Sequence, residues 1–551
     1  MTSTGPPRLS VLLIGFQDQD NLGLRYLLSS AQQAGFTGRI VTYHSDPKQL
    51  LEIVRDTTPV IIGFSLIFQY MAPDFGRVIH ALHDARVTAH ITMGGHYPSF
   101  DFAEVLRRIP GLDSIVRFEG EQTLVELLQK ITAGEEWRGI TGIAFRRGEE
   151  IVANPLRPAM TDLDVLPHPY RVDIDYGVHE LPTASILGSR GCPWDCSFCS
   201  IRPFYEAQDG PLRRLRKPGA IVEEMCSLYR DRQVPVMLFQ DDDFLAGGLR
   251  AREWAGQIAD GLVAAGVAGH LAFKVSCRSD EIREECLQQL IAGGLTHVYM
   301  GVESGDPQAL LNMSKRIKPE QHLQAGQILK RLGLSFDFGF MLLDPYSTFA
   351  MVRNNLDFLE NFVGDGWAVA SFCRMLPYAG TPIKAKLEAE GRLLGTPFEP
   401  DYHFLDPKLD LFYDWMLQTF HERNFTSRGL CHLLKSLLFE ARLRLPAHNR
   451  CSDADRAYVQ HLTAVCNGVA VYTLRTALRY IEATPLSALE RDRSFLAALT
   501  QHEHDEESRL LQQVVEYYWT LRQRRTSETT RSRLAPVGGF DKAWTVAESR
   551  V

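Results

Sequence analysis

Three cysteines stand within eight residues, Cys192-Pro-Trp-Asp-Cys196-Ser-Phe-Cys199, and no cysteine precedes them. Thiolates at this spacing bind metal. A tetrahedral zinc site wants a fourth ligand, and no histidine follows at finger-like spacing. A cubane iron–sulfur cluster is usually held by four thiolates. Three thiolates leave one iron open to a substrate or cofactor. Phe198, directly before the last cysteine, is suited to lie against a flat ring. A zinc knuckle, or three cysteines adjacent by chance, is the bland alternative. The other seven cysteines are scattered through apolar patterns and read as small buried side chains.

The elements that must position this loop follow from periodicity. Residues 9–150 alternate apolar runs (9–16, 39–44, 60–67, 89–94, 114–118) with amphipathic stretches (22–34, 47–56, 73–85, 102–109, 121–133). Continuous apolar strands alternating with helices predict a five-stranded, doubly wound parallel sheet covered on both faces. Residues 151–182 carry five prolines and predict a semi-rigid linker. Residues 183–390 repeat the rhythm, with strands expected at 184–188, 234–240, 271–276, 297–302, 336–343 and 368–375. Six such units predict an open (β/α)6 barrel, and the cysteine loop follows its first strand, at the end where barrels place their chemistry. Residues 391–520 read as helices and 521–551 as a flexible tail. The helical region is expected to cover the barrel mouth, with Tyr402, His403, Phe404 and Tyr413 as lining candidates.

Composition narrows the class. The chain has 551 residues, 45% hydrophobic and 23% charged, with a formal net charge of −8. That disfavours a strongly basic nucleic-acid binder. No run approaches the roughly 18 apolar residues of a membrane span, and residues 1–7 lack a secretory pattern. Ten cysteines are too few for a disulfide scaffold, so the expected setting is reducing cytoplasm.

Gly191 to Cys199 resembles the signature of the radical S-adenosylmethionine (SAM) enzymes. The resemblance implies that Cys192, Cys196 and Cys199 hold a [4Fe–4S] cluster whose fourth iron chelates SAM. Other strand ends match that family's pattern: Phe239-Gln-Asp-Asp-Asp243, Lys274-Val-Ser276-Cys-Arg278 and Gly301-Val-Glu303. It implies that Asp242, Ser276 and Glu303 accept from the ligand's ammonium or ribose hydroxyls, and that Arg278 pairs with its carboxylate. Asp344-Pro-Tyr-Ser-Thr348 departs from the usual Gly-x-Pro-x-x-Thr.

The first domain resembles that of the cobalamin-binding members, which include methyltransferases and an anaerobic cyclase. The matching residues are Asn21 and Gly23, Ser65, Gly94-Gly95-His96, and Glu119-Gly120, all near strand ends. Here too there is a departure. Cobalamin mutases carry Asp-x-His-x-x-Gly after the first strand, with the histidine on cobalt. This chain reads Asp18-Gln-Asp20-Asn-Leu-Gly23. No cobalt ligand is expected from that loop. The resemblances span about residues 9–390, roughly 70% of the chain. They imply a cobalamin-dependent methyltransferase acting through a 5′-deoxyadenosyl radical on an unactivated carbon of a small molecule. The alternative is a non-methylating cyclase, rearrangement or oxidation enzyme. A flavodoxin- or ferredoxin-type electron donor is implied by the chemistry. The capture of methyl by a substrate radical demands that residues 94–99 face the barrel mouth.

Overall fold

The computed structural model describes residues 9–17, 20–171, 181–445 and 451–529, with side chains to residue 523. Residues 1–8, Asp18 and Gln19, residues 172–180 of the expected linker and most of the expected tail lie outside the described residues. Strand β1 (Val11–Gly15) is buried at every position, which is why its sequence is apolar without alternation. It runs parallel between β2 (Gly38–Thr42) and β3 (Ile61–Ser65). Strands β4 (His90–Gly94) and β5 (Ser114–Val116) continue the parallel sheet. The winding reverses between β1 and β3, so a crevice opens at their carboxyl ends. The sheet has seven strands rather than five. Strands β6 (Ile143–Arg147) and β7 (Glu150–Ala153) fold back antiparallel beside β5, turning at Gly148 with φ +61°. The described part of the proline-rich stretch is no free spacer. Leu163 and Arg171 are buried, and Arg157 pairs with Glu126.

Strand β8 (Thr183–Ile186) opens the second sheet. A short antiparallel ladder, β9 (Ser189–Arg190) with β10 (Arg214–Leu215), brackets the cysteine loop. Strands β11 (Val236–Phe239), β12 (Ala272–Arg278), β13 (Leu295–Glu303), β14 (Ser335–Leu343) and β15 (Cys373–Arg374) complete a parallel sheet ordered β15-β14-β13-β12-β11-β8. Its ends, β15 and β8, are edges, so the barrel is open as expected. Val298, Met300 and Val302 of β13 pack outward into the core, while Tyr299, Gly301 and Glu303 alternate toward the lumen. The last strand is shorter than the expected 368–375. Side chains take the backbone bonds at Ala370: Asn467 accepts from its N–H at 2.9 Å and Arg423 donates to its carbonyl at 3.0 Å.

A hairpin of β16 (Leu393–Gly395) and β17 (Pro400–Tyr402) leads into five helices, Pro407–Phe425, Leu430–Arg442, Asp453–Ala483, Leu486–Arg491 and Ser494–Thr529. The expected position over the mouth is corrected for the second of these. Phe439 packs on His297 near the start of β13, with ring centroids 5.6 Å apart. Leu443 and Leu445 cluster with Val236 and Ala272, which begin β11 and β12. This segment closes the barrel floor, because its apolar residues match the apolar strand starts. Tyr402 and Phe404 are core rather than lining, and the Tyr402 hydroxyl donates to the Met375 carbonyl at 2.9 Å. His403 is exposed, and Tyr413 lies under the Arg374 guanidinium. Among the described residues no helix is long and apolar enough to cross a membrane.

Candidate cofactor site

The cysteine loop leaves β8 and is tied down on several sides. Asp241 accepts from the Gly188 N–H at 2.8 Å and the Ser189 hydroxyl at 2.5 Å, and Asp242 accepts from the Gly191 N–H at 2.8 Å. The acidic run after β11 therefore folds the loop's entry. Gly191 has φ +91°, and a Cβ there would lie 1.8 Å from the Leu212 carbonyl oxygen, so only glycine fits. Ser197 donates from its N–H to the Met313 carbonyl (2.9 Å) and from its hydroxyl to that of Asn312 (2.9 Å). Its own carbonyl accepts from the Ile383 N–H at 2.8 Å.

The three thiols sense one another's charge: Cys192 that of Cys199, and Cys199 that of Cys196. Burial pushes the Cys192 thiol up, and that of Cys199 up to about 12. Burial also raises Cys196, although Lys315 and Arg278 oppose it. A bound cation reverses that balance by stabilising thiolate. Among the described residues no three His, Cys, Asp or Glu side chains gather as one metal ion would require. A cubane asks for something else, one thiolate for each iron corner, and the three-thiol donor set fits it. The sulfurs also receive donors, as such clusters do. The Ile201 N–H lies 3.5 Å from Cys199 Sγ and Arg278 Nη1 3.7 Å from Cys196 Sγ.

The expected SAM-contacting residues gather at the same barrel end, with differing freedom. Arg278 is engaged: it pairs with Asp280 at 3.0 Å, donates to the Lys315 carbonyl at 2.7 Å and lies 4.1 Å over the Trp194 ring. Glu303, at φ +69°, binds the buried Lys315 ammonium at 3.0 Å. The Lys315 ammonium lies 5.9 Å over Phe198. The Ser276 side chain is half-buried on the lumen side, and its carbonyl accepts from the Phe244 N–H. Trp194 and Lys315, to which the sequence reading assigned no role, stand in contact with Arg278 and Glu303. Their signal was proximity to Cys196 and Glu303.

The loops of the first domain meet the barrel at a cavity of about 280 Å³. Gly23, Ser65, Gly94, Gly95, His96, Glu119 and Gly120 line one side; Leu187, Arg190, Phe204, Tyr205, Gln240 and Asp242 line the other. The walls are mainly apolar with a few polar groups, as ligand pockets are. A Cβ on Gly23 would meet only Asn21 Oδ1, at 3.4 Å, so the backbone offers a bare surface to the cavity. Gly95 (φ +110°) passes so close to Leu66 that a Cβ would lie 2.3 Å from its carbonyl oxygen. These glycines and apolar walls fit a large flat ring. The volume holds only part of a corrinoid, being just under the roughly 300 Å³ where small-molecule pockets begin. Asn21 turns out to be a helix cap. Its Oδ1 accepts from the Leu24 N–H at 3.2 Å and its Nδ2 donates to the Phe16 carbonyl at 3.0 Å.

Residues 94–99 do face the barrel. The His96 ring stacks on Phe204 across the seam, with centroids 4.2 Å apart and planes 12° apart. Burial lowers its pKa to about 4, so the imidazole is neutral, and Nε2 is buried without a partner among the described residues. Glu119 clamps the seam. One oxygen accepts from Arg190 (3.1 Å) and Arg214 (2.8 Å), and the other from Arg214 (2.9 Å) and the Met160 N–H (3.3 Å). Glu121 also binds Arg190, at 2.5 Å. A second buried network places Asp20 between Arg25 and Arg171, with the Ser185 N–H of β8 donating to it at 2.9 Å. The position that holds a histidine in the cobalamin mutases is thus a carboxylate bonded to the barrel. The arginines of these clamps carried no sequence motif beyond the run Arg213-Arg214-Leu-Arg216.

Comparison with known proteins agrees with this geometry. The B12 binding domain model matches residues 15–128, and the radical SAM superfamily model matches residues 186–359. The chain is similar to an uncharacterized methyltransferase of Pyrococcus horikoshii, 26% identical, with 80% of this chain and 89% of that protein covered. It is also similar to the anaerobic magnesium-protoporphyrin IX monomethyl ester cyclase of Cereibacter sphaeroides, 25% identical over 58% of this chain and 52% of that protein. Its fold is that of the cobalamin-dependent SAM radical enzyme OxsB, whose structure holds aqua-cobalamin and SAM, with a TM-score of 0.67 at 16% identity over 95% of this chain and 80% of that one. The chain therefore belongs to the cobalamin-binding radical SAM enzymes, whose cofactors are cobalamin, SAM and a [4Fe–4S] cluster.

Proposed function

We propose that this enzyme methylates an unactivated carbon of a small molecule held in the barrel lumen. The observation that carries the reading is the cavity shared by the strand-end loops of the first domain and the barrel, beside the cysteine loop. When bound, the cluster and SAM supply a hydrogen-abstracting radical, and the corrin supplies a methyl group. The chain's own residues orient and shield. Asp241, Asp242 and Gly191 set the cysteine loop. The Glu119 clamp and the His96–Phe204 stack close the seam against water, which would otherwise reach reactive species. Glu303 and Lys315 neutralise each other at the mouth and leave hydrogen-bonding capacity toward a polar ligand. Ser65 and the Gly94-Gly95 turn line the corrin side. Electrons come from a flavodoxin- or ferredoxin-type donor in an oxygen-poor cytoplasm.

The Pyrococcus relative, named a methyltransferase and matched along most of its length, supports methyl transfer. The cyclase relatives support a second reading, in which the same radical closes or oxidises a ring without methylation. Anaerobic purification with optical spectra, iron assay and corrin assay tests the common part. Iron plus stoichiometric corrin is expected, and Cys192→Ala, Cys196→Ala or Cys199→Ala should each lose the iron. Iron without corrin, even after cobalamin is supplied during reconstitution, refutes the methyl-carrier mechanism. Product mass separates the two readings, since only methylation adds a methyl group.

A further inference from the structure

We infer that the floor of the barrel lumen is an anion subsite, built by Lys274 and Lys435, that receives a carboxylate or phosphate group of the substrate. This rests on the reading that the lumen holds a small molecule, and it names that molecule's class.

Lys274 lies on β12 facing the lumen, with its ammonium 5.5 Å over the ring of Tyr299. Among the described residues that ammonium forms neither a hydrogen bond nor an ion pair. Lys435 arrives from the helix that closes the floor, and its ammonium donates to the Ser371 hydroxyl at 3.0 Å. It too has no carboxylate at ion-pair distance among the described residues. The one carboxylate that acts on Lys274 is Asp337, whose own side chain faces His297 at 3.5 Å. Burial holds the Lys274 ammonium below the usual lysine range; Asp337 opposes this, and the charge of Lys435 adds to it. The one carboxylate that acts on Lys274 thus already faces a partner, and the second cation stands nearby. A half-buried ammonium with no carboxylate in ion-pair contact is costly, and an incoming anion relieves that cost.

The lumen above is open to a ligand. Tyr299 keeps 38% of its surface exposed although β13 is central in the sheet. Gly339 lets the Tyr299 hydroxyl and Glu303 Oε2 pack against its backbone, since a Cβ there would lie 2.8 Å and 3.0 Å from them. Ser276, two residues farther along β12 and on the same face, lies toward the carboxyl end of the strand. A substrate with one anionic end would be held at the floor and present its other end to the mouth. Lysines suit this task, because a compact ammonium serves as a point charge for either anion.

The test uses the reconstituted holoenzyme and two probes, inorganic phosphate and acetate, followed by NMR line broadening. The variants are Lys274→Met, Lys435→Met and Lys274→Arg. Wild type is expected to bind at least one probe, and each methionine variant to bind it about tenfold more weakly, as loss of a charge-assisted contact predicts. Lys274→Arg should retain most of the affinity. A preference for phosphate assigns a phosphoryl substrate, and a preference for acetate a carboxylate. The proposal is overturned if neither probe binds wild type, or if wild type and both methionine variants bind equally. Iron and corrin content, measured on every sample, report the cofactor reading separately. Should Lys274→Met lose its cofactors through misfolding, Lys435→Met decides from a different element.

Discussion

Glu119→Gln should loosen the seam between the two domains. Glu119, Glu121, Arg190 and Arg214 form a charge-balanced group, and the Glu119 side chain is 9% exposed and that of Arg214 2%. Burial would raise the Glu119 carboxyl, but hydrogen bonds from Arg214 and the charge of Arg190 outweigh it and hold the group below the usual range. Glutamine keeps the shape and one acceptor but turns an amide N–H₂ toward a guanidinium. It leaves two buried cations facing one carboxylate. Breaking one side of such a buried pair costs about 3–5 kcal/mol. At roughly 2–4 °C per kcal/mol for a unit of this size, the first thermal transition should fall by roughly 10 °C. Scanning calorimetry of the apoprotein reads that transition, and hydroxocobalamin titration should show corrin affinity falling about tenfold or more. Because the loss comes from an uncompensated cation, adding Arg214→Met should recover part of it. The reasoning is refuted if Glu119→Gln melts within about 1 °C of wild type, or if the two substitutions destabilise additively.

Gly191→Ala should abolish iron incorporation while leaving the far-ultraviolet circular dichroism unchanged, since a Cβ collides with Leu212 only in the cysteine loop. Gly380→Ala places a Cβ 2.6 Å from the Phe100 ring across the seam, at φ +78°, so corrin binding should weaken while iron content holds. Burial raises the Asp344 carboxyl to about 6, above its unfolded value of 3.8, so the folded state holds the proton. Its stability contribution is complete below pH 4 and declines as pH rises through 6, by up to about 3 kcal/mol. Asp344→Asn, which mimics the protonated form, should therefore gain urea resistance relative to wild type between pH 5 and 7. A constant difference across that range would count against the assignment.

How much of this was legible depends on whether a signal was local. The apolar run at Val11–Gly15 and the glycines after β4 announce themselves because strand burial and tight turns constrain adjacent residues. The cysteine loop does so because its three thiols are neighbours in sequence. The β6–β7 hairpin was missed because its two strands are short and all of β7 after Glu150 fell in what read as linker. The clamps were illegible because their partners are distant: 95 residues separate Glu119 from Arg214. Glu119 and Asn21 were both read as cofactor contacts. In the structure one is a clamp bordering the cavity and the other a helix cap, since polar residues at strand ends serve backbone and ligand alike. The barrel floor was misplaced because an apolar helix carries no mark of which end of a barrel it will cover.

The seam cavity also orders events during synthesis. One wall is complete once residue 124 has left the ribosome, but the opposite wall runs from Leu187 to Asp242. A nascent first domain therefore presents half a grip, with the Gly94-Gly95 turn unmatched until the barrel docks. A growing chain thus offers a complete cavity only after residue 242 has emerged and the two walls have met.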